Sequence, residues 1–403
     1  MIIMGILFFI FGFVTWLNGS LIPFLKVICN LNEFEALFVT FAFYIAYTLM
    51  ALPMAYVLER TGYKKGMMFG LAIMASGSLL FIPAALSGEF FVFLLALFLL
   101  GSGLTLLQTA SNPYIVLLGP IESAAMRISI MGLVNKSAGV LAPIAFTALI
   151  LSGMGSLQDL SAAEIDVVAH KLIIPYLVMA MILIALVFLI KYSSLEELAF
   201  ESSTEDETNI FAYPKVVLGA VALFFYIGIE VIAGDTIGLY GASLGVQNAT
   251  SLTSYTMVFM VLGYIVGVVC IPKYLSQEKA LIGSSLLGIL LLFGVSFSSA
   301  TDALFLSLPN TLLFVALLGF SNALVWPTIW PLALDGMGKH TPKASALLIM
   351  AIAGGALLPL AFGKIAQLSG SMQSSYLYGS VCYLFILVYA LKWHKMDSWS
   401  RNN

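Results

Sequence analysis

The sequence predicts an all-α membrane protein whose twelve transmembrane helices form two pseudo-symmetric six-helix bundles. Three observations predict this fold class: an apolar composition, twelve apolar runs of membrane-spanning length, and a weak repeat between the two halves. Of the 403 residues, 61% are hydrophobic and 9% are charged, and the mean hydropathy is +1.05. A soluble domain carries about 25% charged residues. This chain therefore has too few polar groups to cover a surface in water, and we expect it to lie in lipid.

The spans follow from the length of each apolar run, because a helix that crosses a bilayer needs about 20 mostly apolar residues. Such runs occupy residues 2–26, 35–58, 66–86, 90–118, 127–152, 172–191, 214–241, 251–272, 280–298, 303–334, 344–368 and 373–393. A polar segment with six acidic residues, 192–213, separates the first six runs from the last six. We therefore predict an N-terminal bundle (1–191), a cytoplasmic acidic linker (192–213) and a C-terminal bundle (214–403).

The distribution of lysine and arginine predicts the orientation. With both termini inside, thirteen of these residues fall in inner segments and two in outer segments. Positive residues favour the cytoplasmic side. The predicted location is the bacterial cytoplasmic membrane, with both termini in the cytoplasm.

The repeat supports two related halves. Matching segments recur at offsets of 216, 218 and 216 residues: Phe8-Phe9 with Phe224-Phe225, Leu99-Leu100-Gly101 with Leu317-Leu318-Gly319, and Leu141-Ala142-Pro143 with Leu357-Leu358-Pro359. Two parallel halves of six spans resemble the major facilitator superfamily. That resemblance implies a substrate site near the middle of the membrane, between the halves.

The loop between spans two and three carries a charged motif. Glu59, Arg60, Gly62, Lys64 and Lys65 follow one another within seven residues. The pattern resembles the loop signature of the same superfamily, and Gly62 permits a tight turn. We interpret these residues as a conformational latch, in which Glu59 and Arg60 pair across helix ends. The alternative is simple anchoring by positive charge.

Ionisable residues inside spans suggest a coupling site, because a charge at mid-bilayer costs about 2.5–3.5 kcal/mol. Span seven carries Glu230 and Asp235, and span five carries Lys136. In a straight helix the two acids point about 140° apart. Either one acid pairs with a neighbouring helix through Lys136, or the helix breaks at a glycine. One acid could bind a cation or proton and couple it to transport; the alternative is a static ion pair.

Neutral polar and aromatic residues suggest the substrate. Amides both donate and accept hydrogen bonds, as sugar hydroxyls require, and tryptophan faces stack on the apolar faces of pyranose rings. Span four places Gln108 and Asn112 on one face, and span ten places Asn322, Trp326 and Trp330 on one face. Trp16 and Asn18 form a further aromatic–amide pair in span one, and Asn135 lies in span five. Interhelical packing or an interfacial aromatic belt would be the alternative.

Several of these residues also carry a closer resemblance. The stretch Leu107-Gln108-Thr109-Ala110-Ser111-Asn112-Pro113-Tyr114 resembles the span-four motif of the fucose/glucose/galactose permease branch of the superfamily. Asn18, Asn135, Glu230 and the stretch 322–327 match it too. The resemblance implies import of a monosaccharide with protons or sodium, and of N-acetylglucosamine in some relatives.

The chain departs from the fucose-type pattern at two acids. The resemblance implies an aspartate where this chain has Gly19, and a glutamate where it has Gln108. Adding the repeat offset of 216 to position 19 gives Asp235. We therefore hypothesise that Asp235, with Glu230 and Lys136, forms the coupling site.

The predicted function is secondary active import of a monosaccharide, a glucose/galactose-like hexose or N-acetylglucosamine, by alternating access coupled to Na⁺ or H⁺. A sugar uniporter, or a carrier of another small polar solute such as a nucleoside, is the alternative. No residue cluster indicates an enzyme, a metal or an organic cofactor, and no basic stripe indicates nucleic acid. We expect a monomer in the bilayer. The predicted sugar-binding residues are Trp16, Asn18, Gln108, Asn112, Asn135, Asn322, Trp326 and Trp330.

Overall fold

The structure is a computed structural model that describes residues 1–118, 124–150, 162–195, 210–271, 274–302, 308–337 and 340–399. Its regular structure is helical. The helices of the first half are α1 (Ile2–Trp16), α2 (Asn18–Ile28), α3 (Glu33–Ala36), α4 (Phe38–Ser87), α5 (Phe90–Leu117), α6 (Ala124–Ile150), α7 (Ala162–His170) and α8 (Ile173–Tyr192). Those of the second half are α9 (Pro214–Ser243), α10 (Thr253–Cys270), α11 (Gln277–Phe297), α12 (Asn310–Asn322), α13 (Val325–Leu334), α14 (Thr341–Met350), α15 (Gly354–Ser369), α16 (Met372–Ser375) and α17 (Ser380–Leu391).

Twelve helical segments of the described chain are long and apolar enough to cross a membrane. This confirms the predicted fold class and number of spans. α4 contains two spans, joined at Gly62, whose φ of +77° and ψ of 173° are not helical. A residue with a β-carbon rarely adopts such a positive φ, which explains the glycine at this turn.

In two spans the helical hydrogen-bond pattern is interrupted at a turn, where the sequence predicts unbroken helices. In span one the turn residue is Leu17, between α1 and α2, whose φ of -65° and ψ of -26° stay helical. In span ten the turn residues are Ala323 and Leu324, between α12 and α13, and their φ and ψ also stay in the right-handed helical region. Pro327 has no N–H to offer the carbonyl of Ala323, so the helical hydrogen bond is lost there. Span seven, in contrast, is one unbroken helix, α9, and the alternative of a break at one of its glycines is not what the structure shows.

The contacts of the chain define two compact units. The first comprises Met1–Thr204 together with Val246–Ser254, and the second comprises Glu205–Gly245 together with Tyr255–Asn403. Most of the predicted linker, residues 196–209, lies outside the described residues. The predicted boundaries at 191 and 214 therefore stay a prediction.

The short segment Val246–Ser254 is held in the first unit by three hydrogen bonds. Ser20 donates its hydroxyl hydrogen to the carbonyl oxygen of Thr250. The hydroxyl oxygens of Thr147 and Thr250 lie 2.8 Å apart, and the Ser254 hydroxyl lies 2.7 Å from the carbonyl oxygen of Val140. The first unit is thus discontinuous in sequence.

The repeat reappears in the packing of each unit. A β-carbon at Gly101 in span four would collide with the backbone carbonyl of Phe43 in span two. A β-carbon at Gly319 in span ten would collide in the same way with the carbonyl of Thr256 in span eight. Gly101 and Gly319 are equivalent positions of the repeat, so both units use a glycine to bring the same pair of helix backbones together.

Candidate functional site

The first unit buries two polar groups at the turn of span one. Trp16 ends α1 and Asn18 begins α2, and the two residues are 2% and 1% exposed. Trp16 Nε1 and Asn18 Nδ2 have no hydrogen-bond partner among the described residues. A buried donor left without a partner costs about 1–3 kcal/mol. Both groups are therefore suited to donate to oxygens of a bound ligand.

Lys136 lies against this turn. Its Nζ is 4.6 Å from the centroid of the Trp16 ring, a cation–π contact between α6 and α1. The neighbouring Asn135 donates from Nδ2 to the carbonyl oxygen of Phe8, at 3.4 Å. Span five thus contacts span one through a charge and an amide. Lys136 belongs to the first unit and the two acids of span seven to the second, so their predicted pairing stays a prediction.

Gln108 in span four is held by a residue that the sequence analysis did not single out. Its Nε2 donates to the hydroxyl of Tyr47, at 3.0 Å, and Tyr47 is buried in span two. Gln108 and Asn112 are both half-buried. Since the amide nitrogen is directed to Tyr47, the Gln108 carbonyl oxygen is the group left to accept a hydrogen bond from a ligand.

In the second unit, Glu230 is surrounded by tyrosines. The carboxylate is 5% exposed and accepts a hydrogen bond from Tyr226, one turn earlier on α9. The phenols of Tyr264 on α10 and Tyr383 on α17 lie close enough to interact with it electrostatically. Glu230 is thus an acid inside the membrane with hydroxyl groups from three helices around it.

Asn322 belongs to the same neighbourhood. Tyr383 donates its hydroxyl hydrogen to Asn322 Oδ1, at 2.7 Å, and the hydroxyl of Ser321 lies 2.9 Å from the same phenol oxygen. Asn322 is fully buried, yet its Nδ2 has no hydrogen-bond partner in the described part of the chain. Like Asn18 in the first unit, it therefore offers a donor to a ligand.

The two tryptophans of span ten form an aromatic pair. The rings of Trp326 and Trp330 stack at 5.2 Å, and Trp326 lies 6.5 Å from the ring of Tyr226. The break in span ten falls between Asn322 and Trp326. Asn322 ends α12 and both tryptophans lie on α13. The single face predicted for these three residues stays a prediction.

Asp235 is fully buried, about one and a half turns beyond Glu230 on α9. Because that helix is unbroken, the two acids lie on different faces.

The residues of the predicted latch lie at the turn within α4. The guanidinium of Arg60 lies 4.2 Å from the centroid of the Tyr56 ring. Lys64 donates from Nζ to the carbonyl of Ser193, at 3.0 Å, at the C-terminal end of α8, where the helix dipole favours a positive charge. Lys65 is exposed, and the side chain of Glu59 lies outside the described part of the structure. The latch role stays a prediction.

Two clusters therefore emerge. The first unit brings Trp16 and Lys136 together, and the second brings Glu230, Asn322 and Trp326 together through Tyr226 and Tyr383. The sequence analysis missed the tyrosines as a group. Their signal is a phenol inside an apolar span, since a buried tyrosine hydroxyl needs a polar partner. Within the described residues, no group of three His, Cys, Asp or Glu could hold a metal ion.

Comparison with known proteins places the chain in a family. The sequence profile of the Major Facilitator Superfamily matches residues 4–360. The glucose/galactose transporter of Brucella abortus biovar 1 (strain 9-941) is 34% identical over 394 residues, which cover 96% of this chain and 92% of that protein.

Solved structures share the fold. The Escherichia coli fucose:proton symporter superposes with a TM-score of 0.72 at 22% identity, over 97% of this chain and 98% of the other. A D-xylose-proton symporter superposes with a TM-score of 0.76 at 16% identity, over 97% of this chain and 96% of the other. These matches confirm the resemblance and the twelve-span architecture: this integral, multi-pass membrane protein belongs to the Major Facilitator Superfamily.

Proposed function

We propose that this protein imports a monosaccharide by alternating access, driven by a cation gradient. The substrate is a glucose/galactose-like hexose or N-acetylglucosamine. The observation that carries the proposal is the 34% identity to a glucose/galactose transporter over 96% of the chain. Membership of the superfamily also supports a transporter rather than an enzyme, and one that needs no cofactor.

The buried donors support a substrate rich in hydroxyl groups. Trp16, Asn18 and Asn322 each hold a nitrogen that has no hydrogen-bond partner within the described chain. Gln108 adds an acceptor, and Asn112 and Asn135 add further amides. Trp326 or Trp330 supplies a face for the sugar ring. Trp16, Asn18 and Gln108 belong to the first unit, and Asn322 and Trp326 belong to the second.

A cation gradient supplies the energy. The two solved relatives are a fucose:proton and a D-xylose-proton symporter by name. A gradient of 100 mV provides about 2.3 kcal/mol for each charge moved. The candidates for the coupling site are Glu230 and Asp235 in span seven, with Lys136 in span five. We further propose a monomer in the bacterial cytoplasmic membrane with both termini in the cytoplasm.

The test is uptake of radiolabelled glucose, galactose, fucose and N-acetylglucosamine into proteoliposomes, under an imposed sodium or proton gradient. Accumulation of glucose, galactose or N-acetylglucosamine under one gradient would support the proposal. Equilibration without accumulation would instead identify a sugar uniporter. Uptake of none of these sugars would refute the monosaccharide assignment, and nucleosides would be tested next.

A further inference from the structure

We propose that Glu230 is the acid that couples the cation to the sugar, and that Tyr226 and Tyr383 are positioning residues that transmit its charge to Trp326 and Asn322. The inference rests on the proposed function, because it assumes that the protein moves a sugar together with a cation. It goes further by selecting one acid and by assigning a role to two tyrosines.

The first connection runs through Tyr226. Its hydroxyl donates to the Glu230 carboxylate, and its ring lies beside that of Trp326, 6.5 Å away. A hydrogen bond to an ionised carboxylate is about twice as strong as one between neutral groups. Binding of a proton or sodium ion neutralises the carboxylate and weakens this bond. Tyr226 is then released to shift against Trp326, the proposed stacking face for the sugar.

The second connection runs through Tyr383. A phenol has one hydrogen to donate, and Tyr383 donates it to Asn322 Oδ1. The phenol also lies close enough to Glu230 to interact with it electrostatically. The hydrogen bond from Tyr383 fixes the orientation of the Asn322 amide, whose Nδ2 has no hydrogen-bond partner among the described residues. A change of charge at Glu230 therefore alters how firmly the sugar donor is held.

One hydrogen bond, to Tyr226, and one electrostatic interaction, with Tyr383, thus lead from Glu230 towards two predicted sugar-binding side chains. The described titratable groups that interact with Glu230 include Tyr226 on its own helix, Tyr264 on α10 and Tyr383 on α17. All three are phenols, and Glu230 supplies the carboxylate of this cluster. Proton binding forms one O–H bond on the carboxylate and breaks no bond of the sugar.

The test compares two kinds of transport by the same protein in proteoliposomes. Gradient-driven accumulation needs coupling, whereas counterflow exchange of labelled for unlabelled sugar needs only the sugar site and alternating access. The variants are Glu230→Gln, Tyr226→Phe and Tyr383→Phe. The matched control is Tyr376→Phe, which removes an equally buried phenol of the second unit that is hydrogen-bonded to Thr236.

We expect Glu230→Gln to abolish accumulation, and each of the two tyrosine variants to reduce it at least fivefold. Counterflow should fall much less than accumulation in all three, with a raised KM for the sugar in Tyr383→Phe because Asn322 loses its hydrogen bond, and Tyr376→Phe should preserve both activities. The inference is overturned if the tyrosine variants accumulate sugar as the wild type does, or if they lose counterflow and accumulation in parallel, as structural damage would cause. Loss of accumulation in Asp235→Asn but not in Glu230→Gln would also overturn it.

Failure of the proposed function gives a different result. A wild-type protein that transports none of the sugars would refute that function, and this inference with it. Sugar accumulation by the wild type with unchanged coupling in Tyr226→Phe and Tyr383→Phe would refute the inference alone.

Discussion

Substitution of Gly319 by alanine tests the close approach of spans eight and ten. The added methyl group would overlap the carbonyl oxygen of Thr256 and lie 3.0 Å from its carbonyl carbon and 3.1 Å from its Cγ2. Carbon atoms in favourable contact are about 3.5–4.0 Å apart. Backbone atoms form most of this contact, so the two helices must separate. Such overpacking costs about 1–3 kcal/mol.

A matched control isolates that cost. Gly283→Ala adds the same methyl group on α11, where nothing lies within 4 Å. Both substitutions gain up to about 1 kcal/mol of helix propensity, and the difference between the two variants removes this contribution. At about 2–4 °C per kcal/mol for a unit of 150–250 residues, Gly319→Ala should melt about 2–12 °C below Gly283→Ala.

The assay is thermal unfolding of the detergent-solubilised protein, followed by tryptophan fluorescence and by loss of the monodisperse chromatographic peak. Gly101→Ala should behave like Gly319→Ala, because it occupies the equivalent position and meets the carbonyl of Phe43. Equal melting temperatures for Gly319→Ala and Gly283→Ala would refute the close approach, and with it the argument that the repeat is preserved in packing.

Three further outcomes are expected. Tyr47→Phe removes the hydroxyl that accepts a hydrogen bond from Gln108 Nε2, and such a bond contributes about 0.5–1.5 kcal/mol. KM for sugar uptake should therefore rise about two- to tenfold, with kcat little changed. An unchanged KM would exclude a role of Tyr47 in positioning Gln108. Lys136→Gln removes the cation over Trp16 and should lower the stability measured by thermal unfolding by about 0.5–2 kcal/mol. Lys136→Arg keeps a cation at this position and should keep the stability. Equal losses of stability in the two variants would contradict the cation–π contact. Burial, with a smaller effect of the Glu89 charge, raises the pKa of the Cys29 thiol from 9.0 to about 11. Because the thiolate is the reactive form, maleimide labelling of Cys29 at pH 8 should be about 100-fold slower than labelling of a thiol with pKa 9. The labelling rate should increase up to pH 11. Fast labelling of Cys29 at pH 8 would contradict the raised pKa.

The membrane spans could be predicted from sequence because hydrophobicity and length decide them locally. The interruptions at Leu17 and at Ala323 could not be predicted, since hydropathy does not record the backbone hydrogen-bond pattern. Pro327 can be read from the sequence, but whether a proline kinks or ends a helix depends also on how the neighbouring helices pack around it.

The sequence predicts which residues belong to the candidate site, but not which of their side chains contact one another. Trp16, Asn18, Asn322 and Glu230 stand out because each is polar or amphipathic within an apolar run. The contact of Lys136 with Trp16 joins two spans that are far apart in sequence, and the tyrosines reach Glu230 from three different helices. These contacts form only when the helices pack together, and the periodicity of residues within one helix does not predict them.

The membership of Val246–Ser254 in the first unit has a consequence for biosynthesis. Proteins are made from the N-terminus, and early domains usually complete themselves before later ones emerge. Here the hydroxyls of Ser20 and Thr147 obtain their contacts with Thr250 only after the ribosome has passed the whole of α9. The first six spans are therefore synthesised before their unit can be complete, and these hydrogen bonds can form only after the first residues of span eight have been made.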